Sequence, residues 1–237
     1  MILLKSKNNK KINRVVVKLS GSLFKQDIEN FDARPYVTLF TNLTSKGIKF
    51  VLVAGGGKNA RNYITAARRA NVDESTLDEM GIYVSRLNAM LMISHFGDIC
   101  YSSVPTTLSE VAHAFNEKNI VITGGLHPGQ STNATACLIA ERIKADLFIN
   151  ATSVEGVFTK DPKKHKESEL IDSITADDLA RMLYSKSAGA GTYELMDLVA
   201  LNVIKRSSIP TRIVLCSPNV LKDVFNGVES GTLVLSK

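Results

Sequence analysis

Val51–Arg61 reads VLVAGGGKNAR. The apolar run from Phe50 to Ala54 predicts a strand, the three glycines a turn, and the polar stretch Lys58–Arg69 a helix. Glycine tolerates φ > 0 and lets a ligand lie directly against the backbone. The N–H groups left without partners in the first turn of a helix form an anion site, to which Arg61 can add a bidentate grip. The bland alternative is a strand-to-helix turn that binds nothing. One glycine-rich turn does not decide between the two. Its recurrence does.

Working outward, Arg14–Leu19 (RVVVKL) is a β-branched strand that ends in Lys18-Leu19-Ser20-Gly21-Ser22. A third strand, Asn119–Thr123, delivers Gly124-Gly125 and then Leu126-His127-Pro128-Gly129-Gln130-Ser131-Thr132 to a helix over Asn133–Lys144. A fourth, Asp146–Ala151, empties into Thr152-Ser153-Val154-Glu155-Gly156-Val157-Phe158, with Asp161-Pro162 just beyond. Between these, Pro35 opens a helix over Tyr36–Lys46 that Gly47 ends. Asp78 precedes a long helix, roughly Met80–Phe96, in which Leu87, Met90, Leu91 and Ser94 recur at helical spacing. Ile99–Val104 reads as a strand and Leu108–Lys118 as a helix. Thr175-x-x-Asp178 caps a helix over Leu179–Tyr184. Tyr193–Arg206 is an amphipathic helix, Arg212–Cys216 a strand, Pro218–Asn226 a short helix and Gly231–Leu235 a last edge strand.

This alternation predicts an α/β fold, a mostly parallel open sheet sandwiched by helices in three layers. Ligands in such sheets bind beyond the carboxyl ends of the strands. Four glycine-bearing turns, together with Lys18 and Arg61, therefore meet on one rim and make a site for a long polyanion.

Composition narrows the rest. The 237 residues suffice for one large domain with a buried core. The four lysines of residues 1–13, with no acid among them, account for all but +2 of the net charge of +6. Residues 1–13 thus read as a basic tail rather than a nucleic-acid arm, and residues 14–237 as a single domain. Met1–Leu4 is too short for a signal core, and no apolar run is long enough to cross a membrane. Cys100, Cys137 and Cys216 are odd in number and lack a C-x-x-C pair, so they predict buried thiols in a cytoplasmic protein. The four histidines lack metal-ligand spacing, and no metal site is assigned.

The phosphate-binding motifs G-x-x-x-x-G-K-[ST] and G-x-G-x-x-G are both absent. Instead the successive turns resemble the signatures of the amino acid kinase superfamily. The elements that carry the likeness are Lys18–Ser22, Gly55-Gly56-Gly57-Lys58-x-x-Arg61, Gly81-Ile82 with Arg86-x-Asn88-Ala89, Gly124-Gly125-x-x-Pro128-Gly129-Gln130-Ser131-Thr132, and Ala151–Phe158 with Asp161-Pro162. Within that superfamily the chain is similar to the uridylate (UMP) kinases of archaeal type.

The resemblance implies transfer of the ATP γ-phosphoryl group to UMP, with Mg²⁺ accompanying ATP. It places Lys18 and Arg61 in catalysis. ATP falls on Gly21, Ser22, Gly57, Arg61, Thr152, Ser153, Phe158 and Asp161. UMP falls on Gly56, Asp78, Leu126, His127, Pro128, Gly129, Gln130, Ser131 and Thr132. Residues 14–130 would then serve mainly UMP and residues 131–237 mainly ATP. The likeness further implies a hexamer built as a trimer of dimers, and the apolar excess of Met80–Phe96 offers an interface. Asn133 departs from the aspartate common in the superfamily, and Ser153, Glu155 and Phe158 also depart from its pattern. The competing readings are another kinase of this fold, acting on carbamate, an acylamino acid or isopentenyl phosphate, and a non-catalytic protein that binds nucleotides or oxyanions. Asp78 itself has a plain alternative as a helix cap.

Overall fold

The computed structural model describes residues 11–24, 28–160, 162, 165–187 and 195–236. Seven strands form one sheet: β1 (Arg14–Leu19), β2 (Lys49–Ala54), β3 (Ile120–Thr123), β4 (Leu147–Thr152), β5 (Ser173–Thr175), β6 (Thr211–Leu215) and β7 (Thr232–Leu235). Their order is β3-β2-β1-β4-β6-β7-β5. Every neighbouring pair is parallel except β6 with β7. The helices are α1 (Arg34–Thr44), α2 (Gly57–Arg68), α3 (Glu74–Phe96), α4 (Leu108–Glu117), α5 (Thr132–Arg142), α6 (Ala176–Ser187), α7 (Leu198–Ser207) and α8 (Pro218–Phe225).

The central strands are apolar on both faces, as a sheet covered twice requires. Val16, Val51, Val53, Val121 and Phe148 face one core, packed with residues of α4, α5, α6 and α7. Val15, Val17, Leu19, Phe50, Leu52, Ile120, Ile122 and Ile149 face the other, with α1, α3 and α8. The alternation decides where the polar residues of these strands point. Lys18 shares the face of Val16, and it stands opposite Asn150 in the β1–β4 register. A lysine and an asparagine thus come together at the carboxyl end of the sheet, on the side of α5 and α7.

Several sequence expectations need correcting. Ile99–Val104 is not a strand. Tyr101 donates once to the Ile120 carbonyl, at 2.8 Å, and no ladder follows. The last strand is not the edge, because the three-residue β5 pairs outside it. The helix expected over Tyr193–Arg206 starts at Leu198 with Asp197 as its cap, and Tyr193 lies outside the described residues. The long helix begins at Glu74, capped by Asp73, whose side chain accepts the Thr76 N–H. Asp78 is therefore inside α3 and is not its cap. Of the helically spaced residues Leu87, Met90, Leu91 and Ser94, all but the half-buried Leu91 are exposed. Leu87 and Met90 are 63% and 58% exposed, while Leu77, Ile82, Ala89, Met92 and Phe96 are buried.

Candidate active site

The turn after β1 and the turn after β2 touch backbone to backbone. A Cβ added to Gly21 would lie 2.1 Å from the Gly57 nitrogen, and one added to Gly57 would lie 2.1 Å from the Gly21 carbonyl oxygen. Gly57 also has φ +67°, a conformation that glycine takes without strain. Gly55 donates to the Leu19 carbonyl at 3.1 Å. These glycines are thus needed first to bring two rim turns together, which places Lys18, Gly21, Ser22, Gly56 and Gly57 side by side. Ser20 steadies the first turn by accepting the Ser22 N–H at 3.2 Å. Arg61 stands exposed one turn into α2.

Helix α3 ties the rim together from below. Asn88 Nδ2, buried, donates to the Gly55 carbonyl at 2.8 Å. The Ser85 hydroxyl accepts the Gly125 N–H at 2.8 Å. Arg86 donates to the carbonyls of Gly125, Leu126 and Thr106 at 3.0, 3.2 and 3.3 Å. Asp78 Oδ2 accepts the Gly129 N–H at 2.7 Å. One helix therefore holds both the triple-glycine turn and the loop Leu126–Thr132. In that loop His127, Pro128, Gly129 and Ser131 are exposed, whereas Leu126 is buried.

The loop ends where two helices begin. Ser131 caps α5, its oxygen accepting the N–H groups of Asn133 and Ala134 at 3.0 and 3.1 Å. Its hydroxyl donates to Asp197, which in turn caps α7 by accepting the Ala200 N–H at 2.9 Å. Two helix N-termini, each with partial positive charge, converge on this pair. Asp197 escaped the sequence reading, although an aspartate just before the apolar run Leu198–Leu201 is itself a cap signal. Thr132 occupies the first position of α5.

Behind them, buried Asn133 and Asn150 both donate through Nδ2 to the Leu195 carbonyl, at 3.3 and 2.6 Å. Each leaves its Oδ1 buried without a partner. A buried oxygen in that state is costly until a donor or a cation reaches it. Among the described residues no group of three or more histidine, cysteine, aspartate or glutamate side chains could hold a metal ion. The two carboxamide oxygens are neutral hard donors that suit Mg²⁺ or an ammonium.

On the β4 side, the Thr152 hydroxyl is engaged within its own turn, donating to the Val154 carbonyl at 3.0 Å and accepting its N–H at 3.1 Å. Ser153 is exposed. Phe158 packs against the hydrophobic core on the α5 side and bridges Leu170 through its backbone. Asp161 lies outside the described residues. Cys216 neighbours this region. Burial holds its thiol above the usual cysteine range, and burial likewise raises Cys137 and lifts Cys100 to about 11. None of the three is a thiolate nucleophile at neutral pH.

With this geometry in hand, comparison with known proteins is specific. The Amino acid kinase family model matches residues 13–215. A protein named uridylate kinase from Methanobrevibacter smithii is 39% identical over 226 residues, 94% of this chain and 100% of that one. Another so named, from Sulfurisphaera tokodaii, is 38% identical over 224 residues, 93% of this chain and 98% of the other. The crystal structure of uridylate kinase from Archaeoglobus fulgidus superposes with a TM-score of 0.81 at 34% identity, covering 93% of this chain and 99% of that one. The UMP kinase structure from Bacillus anthracis, 22% identical with a TM-score of 0.78, covers 96% of this chain and 98% of its own and shares the fold.

Proposed function

The chain belongs to the amino acid kinase family, and from that premise we propose that it transfers the γ-phosphoryl group of ATP to UMP, giving UDP and ADP. The observation that carries this reading is the lashing of the Leu126–Thr132 loop to α3 through Asp78, on the same rim as the joined glycine turns. Relatives that match 94% and 93% of this chain bear the name of that activity.

An oxygen of the UMP α-phosphate attacks the γ-phosphorus as the bond to the ADP oxygen breaks. That oxygen is already anionic, so no general base is required. The site needs positioning and charge neutralisation. In this reading Lys18 and Arg61 carry positive charge to the transferred group. Gly21, Ser22 and Gly57 line the ATP phosphates, with Thr152, Ser153, Phe158 and Asp161 toward the rest of ATP. Gly56, Asp78 and Leu126–Thr132 receive UMP. Mg²⁺ would arrive on the ATP phosphates and offset their charge, with the Oδ1 atoms of Asn133 and Asn150 as the groups that would hold it from the protein side.

Asp78 provides the test. One of its oxygens holds Gly129, which leaves the other to accept hydrogen bonds from the ribose hydroxyls of UMP. Wild type should prefer UMP over dUMP by roughly 10- to 100-fold in kcat/KM, the worth of one such bond in a protein site. In Asp78→Ala the preference should shrink, chiefly because UMP becomes the poorer substrate. Equal UMP:dUMP ratios in both proteins would confine Asp78 to bracing the loop, and no turnover of UMP by wild type would end the reading.

The same proposal extends to assembly and setting. Tyr83, Leu87 and Met90 are exposed on α3 beside a cleft of about 760 Å³ that Ile93 and Val104 also line. We place the contact between two copies there, within a hexamer built of dimers. Light scattering should find dimers or larger species for wild type, and the double change Leu87→Glu with Met90→Glu should shift it toward monomer. A monomeric wild type at micromolar concentration would refute this assignment. Three unpaired cysteines suit a reducing cytoplasm, and no helix among the described residues is long and apolar enough to cross a membrane.

A further inference from the structure

At the end of the sheet opposite the glycine turns, a cleft of about 380 Å³ opens between the first residues of β1 and β2 and the last turns of α4 and α5. Arg14, Lys49, Arg142 and Lys144 line it, and no carboxylate does. The acids nearest in sequence have partners. Asp146 accepts the backbone N–H groups of Asn13 and Arg14, each at 3.0 Å. Glu141 pairs with Arg206 and Ser207.

Lys49 is half-buried. Its ammonium donates to the Phe115 carbonyl at 2.5 Å and lies 4.8 Å from the centre of the Phe115 ring. Burial, and then the charge of Arg14, lower its pKa. The second effect is that of a cation held beside another cation.

Lys144 supplies an independent observation. It follows α5 at φ +53°, where Lys144 N–H bonds the Glu141 carbonyl at 3.1 Å and Ala145 N–H the Ala140 carbonyl at 2.8 Å. That left-handed position after a helix favours glycine, and a lysine there is strained. The chain keeps a charged side chain at a place where its backbone would be more stable without one.

We propose that this cleft is a second anion site, separate from the catalytic rim, that takes a compact polyphosphate anion such as the triphosphate of a nucleotide. Four cations around one concavity match several phosphate charges at once. An extended nucleic-acid strand fits less well, because it needs a long cationic track with open aromatic platforms. Here the single lining aromatic, Phe115, is buried beneath Lys49. The proposal does not depend on the kinase reading.

The test is acetylation footprinting of lysines, read by mass spectrometry, as inorganic tripolyphosphate is added to the full-length protein. Lys144 should be protected, its labelling falling at least about 5-fold at saturation, while exposed Lys222 on α8 keeps its rate. Half-protection should need roughly tenfold more tripolyphosphate in Arg142→Gln, the worth of one charge-assisted contact. Lys144→Gly should separate ligand binding from folding. It should melt at a higher temperature than wild type and yet bind tripolyphosphate more weakly by calorimetry. An unchanged ratio of Lys144 to Lys222 labelling across the titration would overturn the proposal. So would protection that is the same in wild type and Arg142→Gln.

Discussion

Gly57→Ala should be the most damaging small substitution on the rim, with a loss of about 3 kcal/mol or more in stability and at least ~10²-fold in kcat/KM. Two effects add. An alanine at φ +67° is strained by roughly 1–2 kcal/mol. Its Cβ would also lie 2.1 Å from the Gly21 carbonyl oxygen, which is backbone and cannot rotate away. The turns after β1 and β2 must then separate, and Gly21, Ser22 and Gly56 move with them. Gly129→Ala is the control. It has a similar φ of +75° with nothing within 4 Å of the added carbon, so its loss of stability should show the strain alone. Thermal melting of the two variants, with steady-state rates for Gly57→Ala, checks the claim. Equal, mild effects would mean that the two turns are not held in contact.

Lys18→Ala should lower kcat by roughly 10²- to 10³-fold, the scale for removing one preorganised charge from a transition state. The fold should survive, because Lys18, half-buried one residue before the end of β1, belongs to neither core. The β1–β4 register sets it opposite Asn150, whose oxygen is buried and unpaired. KM for ATP should change little if the charge acts in the transition state, and a matched fall in kcat and kcat/KM would show it. A variant that keeps its kcat but melts well below wild type would make Lys18 structural.

What could be read from the sequence follows from how local each signal is. The strands β1 to β4 and the turns behind them were legible because an apolar run followed at once by glycine is contained within about ten residues. The reason for those glycines was not. Gly21 and Gly57 need each other, far apart in the chain, whereas a local reading sees only a place for a ligand. Helix α3 was placed but started late. Its first turn is polar, which hid the Asp73 cap, and apolar residues lie nearly all round it, so spacing alone did not identify its core face. That error moved Asp78 outside the helix and hid its bond to Gly129. Strand β5, three residues long, carries too little pattern to be found. Ile99–Val104 has strand-like composition but meets Ile120 through one backbone bond. Ser85 and Asp197 act on distant loops, and only the fold brings them there.

The activity is tested most directly by an acceptor panel. Purified protein would be given Mg²⁺ and ATP with UMP, CMP, AMP, carbamate or isopentenyl phosphate, and ADP release followed in each. The account predicts rapid turnover of UMP to UDP, with the other acceptors at least ~10-fold lower in kcat/KM, a margin within reach of a few specific contacts. Efficient turnover of CMP, AMP, carbamate or isopentenyl phosphate with UMP left untouched would contradict it.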